Sequence, residues 1–176
     1  LLARADEPSA VAFNPSGITQ LEGLQFQSGF SIIQPSATVS TNNGGLHHEH
    51  ESRFNYWIPP HTYVTYEASD RVWLGLAIFS RFGLGSEFEH NWPGRYNNYN
   101  AVIQTVSIQP TIAFKATEEF SVAAGLEYMY LDLLMEKKID LSSQIGNPAA
   151  GDVDASLKGS TYGWGWNLSL NWRPWD

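Results

Sequence analysis

The sequence predicts an all-β protein, an antiparallel up-and-down sheet whose strands cross a membrane as part of a β-barrel. Three observations predict it. Large apolar residues alternate with small polar ones along six segments, the period of two that marks a strand with unlike faces. The less apolar faces carry Gly, Ser, Thr, Asn and Gln, not the Lys, Glu and Arg of a sheet facing water. The connections alternate between long and short, as when external loops leave one end of a barrel and tight turns the other.

Composition narrows the function classes. The 176 residues suffice for one domain with a sizeable core. The net charge of -8 argues against a nucleic-acid partner, which needs a basic surface. There is no cysteine, hence no disulfide framework and no thiolate metal site. Apolar residues reach 43%, yet no run approaches the length of a membrane helix. Strands that cross by alternation are untouched by that test. The start, "LLARADEPSAV", has no initiator Met, basic stretch or apolar run of a signal peptide and reads as a processed or cut end.

The elements follow in order. Residues Leu1 to Gly23 lack alternation, and "EPS" and "NPSG" signal turns, so this is an irregular or partly helical leader. Leu24 to Ile33 places Leu24, Phe26, Phe30 and Ile32 on one face. Trp57 to Ala68 opens with Pro59 and Pro60, where a strand tolerates proline best. Arg71 to Ser80 groups Val72, Leu74, Leu76 and Ile78. Ala101 to Lys115 sets Val106, Ile108, Ile112 and Phe114 against Thr105, Ser107, Gln109 and Thr111. Phe120 to Leu131 sets Val122, Leu126, Tyr128 and Tyr130 against Ser121, Ala123, Gly125 and Glu127. The sixth segment, "TYGWGWNLSLNWRPW" from Thr161, sets Tyr162, Trp164, Trp166, Leu168, Leu170 and Trp172 against Thr161, Gly163, Gly165, Asn167, Ser169 and Asn171.

The short connections are Glu67 to Arg71 and Lys115 to Phe120. The long ones are Pro35 to Tyr56, Gly83 to Asn100 and Lys137 to Gly159. In an antiparallel meander all three long loops emerge on one side. Tyr162, Trp164 and Trp172 then read as anchors at the membrane interfaces, with Leu168 and Leu170 in hydrocarbon. Two rivals stand beside this reading. A general porin or adhesin barrel would show charged rings on its lumenal face, and a soluble β-sandwich binding module would bury the apolar face in a core. Six strands fall short of the roughly eight of a small closed barrel, and an open edge in lipid leaves backbone groups unpaired. Either the chain is part of a longer one or it holds more strands than the six counted, and the cut-looking ends favour the first.

Several stretches resemble the FadL-type outer-membrane transporters of long-chain fatty acids and other hydrophobic compounds. "ARADEPSAVAFNPSGITQLEG" is similar to the family's leader, with Asn14 and Pro15 matching an Asn-Pro-Ala motif and Ser16 in place of Ala. "GLAIFSRFGLGSEF" resembles its third strand, through Phe82, Gly83 and Leu84. "NWPGRY" resembles a Trp-x-Gly-Arg-Tyr pattern, and "YGWGWNLSL" matches at Gly163, Gly165, Trp166 and Asn167. The resemblance implies the first six of about fourteen strands over residues 24–176. It also implies a partial N-terminal hatch over residues 1–23 that plugs the lumen, with Asn14, Pro15 and Ser16 as its motif. The location implied is the outer membrane of a Gram-negative bacterium.

The resemblance further implies passive uptake without catalysis or cofactor. A fatty acid or other hydrophobic molecule is captured at the external loops and leaves sideways through the barrel wall. Outer-membrane lipid and lipopolysaccharide are the implied surroundings, and no protein partner is expected. Gly83 and Gly85 are candidates for the lateral opening, since glycine weakens a ladder, against an ordinary strand end running into a loop. Phe79, Phe82, Leu84, Phe88 and Trp92 are candidates for an apolar slot, against a bland reading as rim packing. Arg95 can pair a carboxylate, against an ion pair with Glu87 or Glu89. "LHHEHE" (Leu46 to Glu51) offers imidazoles and carboxylates. It is a single cluster after "TNNGG", read as a solvated loop, so no metal site is assigned. Lys137 and Lys138 are candidates for lipopolysaccharide contact at the outer rim, or form a solvated strand end, and Asp152 and Asp154 read as a solvated turn.

Overall fold

The computed structural model describes residues 5–43, 46–147 and 149–174. Its main sheet is an antiparallel meander. Numbered in chain order, the strands are β1 (Leu24–Phe30), β2 (Thr38–Asn43), β3 (Leu46–Glu51), β4 (Pro60–Ser69), β5 (Val72–Phe79), β6 (Gly83–Glu87), β7 (Asn100–Lys115), β8 (Phe120–Asp140) and β9 (Asp152–Trp172). Sheet order is β1-β4-β5-β7-β8-β9, with β6 added to β7 and β2 paired to β3 alone. The six expected strands are all present. No helix of the described residues is long and apolar enough to cross a membrane.

The faces separate as the alternation requires. Leu24, Phe26, Trp166 and Leu168 are each about 70% exposed or more, and Leu74, Ile78, Val106 and Ile112 share their face. The opposite face buries Thr65, Trp73, Ala77, Ser107, Gln109, Ala113 and Ser121. From Tyr162 to Trp172 the apolar face of β9 covers ten residue steps. At about 3.3 Å per step and a tilt of about 40°, this gives roughly 25 Å, the height of a barrel's apolar band.

Both expected short turns lie at one end of the sheet, at Ser69–Val72 and Lys115–Phe120. The long connections differ from expectation in content. Most of Lys137 to Gly159 is strand, because β8 and β9 remain paired up to Asp140↔Asp152. Only a short helix (Leu141–Ile145) and a turn close the hairpin. The Asp140 carboxylate caps that helix by accepting from the Ser143 N–H, and left-handed Gly146 ends it. The loop reading of "LHHEHE" is likewise corrected. It forms β3, paired with β2 from Thr38↔Glu51 to Asn42↔His47. Gly44 and Gly45 lie outside the described residues.

The N-terminal segment packs on the sheet's inner face. A one-turn helix (Ala10–Phe13) and a 3-10 helix (Pro15–Gln20) bury Val11, Ile18 and Leu21 against Trp73, Ala77 and Ala113. Gly75 makes room for it, since a Cβ there would fall 2.8 Å from Val11 Cγ2. Lumenal side chains hold the segment's backbone. Gln109 donates to the Val11 carbonyl, Trp73 Nε1 to Leu21 at 2.7 Å, and Ser121 Oγ to Ser16 at 2.8 Å. The Ser16 N–H donates to Ser169 Oγ at 2.9 Å. Lumenal polar groups, from two serines, a glutamine and an indole, are thus the partners of an irregular backbone that cannot satisfy itself.

Candidate functional site

The third wall strand is broken. β5 pairs with β7 up to Phe79↔Ser107, and β6 resumes at Gly83↔Gln104. Three residues intervene on one side and two on the other, so a one-residue bulge lies at Ser80–Phe82. β4 loses its partner at the same level, after His61↔Phe79. Beyond it, no strand among the described residues pairs with the other edge of β6. Gly83 and Gly85 themselves lie inside β6, paired with Gln104 and Val102, just past the break.

An opening in a lipid-facing wall exposes backbone groups at a cost of several kcal/mol each. Here side chains take up the load. The Thr105 hydroxyl accepts from the Phe82 N–H at 3.1 Å and donates to the Phe82 carbonyl. Arg81, between two phenylalanines, turns its guanidinium to Glu127, with Nε and Nη2 at 2.8 and 2.7 Å from the two carboxylate oxygens. This bidentate fork ties the bulge to β8 and neutralises its charge.

The break leaves a cavity of about 490 Å³, within the usual range of ligand pockets. Ile33, Ile58, Ile78, Phe79, Phe82 and Leu84 give it apolar walls, and Arg81 is the one cation among its lining residues. Phe79, Phe82, Leu84, Gly83 and Gly85 therefore all line one space. Phe88, Trp92 and Arg95 do not. Phe88 and Trp92 stack on each other with ring centroids 4.4 Å apart. Arg95 donates from Nε to Asp152 at 2.8 Å and from Nη2 to the Tyr96 hydroxyl.

The expected partners of Arg95 are corrected accordingly: Glu87 and Glu89 are paired instead with Arg53. Asp152 and Asp154 are not a free turn. They lie on β9, and Asp154 holds Lys138 at 2.7 Å and the Tyr99 hydroxyl at 3.1 Å. The Arg95 hydrogen bond holds the Asp152 carboxyl below the usual range, and Lys138 does the same for Asp154. Serines 142 and 143 hold Asp140 at about 2. Among the described residues no group of His, Asp and Glu is arranged to hold a metal ion.

Sequence reasoning missed Trp57, Arg81 and Thr105. Only Arg81 carries a local signal, as a lone charge in "IFSRFG". The roles of the other two depend on which strand is absent beside β6, and that is not a local property.

Residues 2–176 match the family described as Outer membrane protein transport protein (OMPP1/FadL/TodX). The long-chain fatty acid transport protein of Escherichia coli O6:H1 is 26% identical over 188 residues, covering 96% of this chain and 42% of that protein. Its Salmonella typhi counterpart is 25% identical over 182 residues, with the same coverage of 96% and 42%. Among solved structures, the P. putida toluene transporter TodX superposes with a TM-score of 0.75 at 16% identity, covering 97% of this chain and 49% of that one. A Pseudomonas aeruginosa FadL homologue gives 0.71 at 18%, with 96% and 45% covered. The chain thus has the fold of part of an outer-membrane β-barrel and spans less than half the length of the relatives it matches.

Proposed function

Because the chain belongs to the OMPP1/FadL/TodX family of outer-membrane transport proteins, we propose that it forms the substrate-conducting part of a passive channel for hydrophobic molecules. It resides in the outer membrane of a Gram-negative bacterium. Long-chain fatty acids are the favoured cargo, the class named for the curated relatives. The ligand is captured at the external loops, where Phe88, Trp92 and Arg95 lie. It reaches the cavity at the β5–β6 break and leaves sideways between β4 and β6 into the bilayer. Asn14, Pro15 and Ser16 belong to a plug that closes the lumen below this point and directs the ligand to the wall. The apolar band meets outer-membrane lipid and, at the outer rim, lipopolysaccharide. The route needs no covalent step and no cofactor.

The apolar cavity at the wall break carries this reading. Its neutralised Arg81 suits an acyl chain, which pays for every exposed charge it passes. The test is uptake of a labelled long-chain fatty acid by cells expressing a Leu84→Cys variant. Reaction of that thiol with a bulky maleimide fills the cavity and is expected to stop uptake. Full uptake after complete modification would remove this route.

A further inference from the structure

We infer that the Trp57 indole sets the width of the wall gap and so selects which hydrophobic molecules pass. The inference rests on the lateral route just proposed. The backbone of Trp57 is fixed, since it exchanges both hydrogen bonds with Ile33 at 2.8 and 2.9 Å. That is an isolated bridge above the ends of β1 and β4. From there the side chain crosses to β6, which among the described residues pairs with β7 alone. It lands on Gly85, where a Cβ would fall 2.3 Å from Cζ2 and 2.8 Å from Cε2. A higher contact, Arg53 N–H to the Glu87 carbonyl at 2.7 Å, holds the same segment to the end of β6. Below Trp57, Ile58 and Pro59 line the cavity on one side and Gly83 and Leu84 of β6 line it on the other.

The indole is held by packing alone. Its Nε1 is buried and has no hydrogen-bond partner. A buried unpaired donor weakens the closed position, and rotation outward gives that N–H water or a headgroup to bond. A ring seated on glycine, on a pinned backbone, with an unmet donor, has the makings of a movable wall element. Gly85 is then the seat of the indole, and it acts through Trp57.

The test uses Trp57→Ala, Gly85→Ala and the double variant in the full protein, with any cysteine outside these 176 residues, which hold none, replaced by serine beforehand. Each carries Ile103→Cys, which lines the cavity, and two quantities are read. Labelling of that cysteine by a bulky maleimide should speed up by roughly two- to tenfold in either single variant, the effect of losing one aromatic packing contact. The double variant should add nothing further, because both changes remove one closure. Uptake of a ring-bearing hydrophobic probe should rise relative to that of a straight-chain fatty acid. Equal labelling in all variants overturns the gate whatever uptake does, and so does an additive double variant. Faster labelling with no change in uptake upholds Trp57 as the cover of the cavity and overturns the lateral route.

Discussion

The wall from β7 to β9 and the wall from β4 to β6 are built from similar residues and end differently. β8 and β9 pair without interruption from Phe120↔Trp172 to Asp140↔Asp152, well beyond the apolar band. β7 and β8 pair almost as fully, with a skip only at Gln109 and Pro110, where proline has no N–H to offer. On the other side, β4 parts from its neighbour at His61↔Phe79, and one hydroxyl and one ion pair hold the bulge. A sealed wall needs only backbone and alternation. A broken wall needs particular side chains, and Arg81 and Thr105, which hold the bulge, also line the cavity there.

The largest expected effect breaks the sealed wall. Trp166→Arg puts a cation into the lipid band and should cost roughly 2–4 kcal/mol of insertion free energy near the midplane. Asn167→Arg, one residue along and facing the lumen, should cost less. Folding titrations into lipid vesicles compare the two, and a larger loss at Asn167 would invert the assigned facing. Next is Gly75→Val, which forces a side chain into Val11 and Ile18. Overpacking of about 1–3 kcal/mol is expected, and the N-terminal segment should become cleavable by protease while the barrel stays folded. Arg81→Gln should be milder, about 1–2 kcal/mol, because the pair with Glu127 is partly exposed. Its mark is loosening confined to the broken wall, read as faster hydrogen exchange at Ser80–Phe82 with β8–β9 unchanged.

The smallest effect concerns pH. Asp152 and Asp154 titrate below their ordinary values in the folded protein. Their contribution is therefore complete above about pH 4 and is lost as pH falls through the depressed values. Acid should release Gly83 to Asn100 from the external hairpin before it disturbs the membrane band. Amide exchange at Trp92 to Asn98 across that range tests it. Asp152→Asn should abolish the pH dependence at Arg95.

The sealed wall was legible because its signal is local. In "TYGWGWNLSLNW" each residue declares its face, and the observed exposures follow. The outer extension of β8 and β9 was not legible, because "LDLLMEKKID" and "DVDASLKGS" stand above the lipid and need no apolar face. The β2–β3 hairpin had a usable sign in the Gly-Gly between two polar runs. The apolar residues of the gap were found from a family resemblance and from glycine chemistry. Arg81's fork to Glu127 spans 46 positions of sequence, and Trp57 meets Gly85 across 28. Pairings of that kind are set by the sheet and not by any short stretch.

On the proposed route the β4–β6 gap is the way out for a hydrophobic ligand. Cysteines at Ile58 and Leu84, which face the same cavity from the two sides of the break, can be joined by a bismaleimide. Uptake of a labelled long-chain fatty acid by cells should fall to background when the staple is complete and recover with a cleavable linker, while ligand binding at the surface persists. Undiminished uptake through a fully stapled wall would contradict the account.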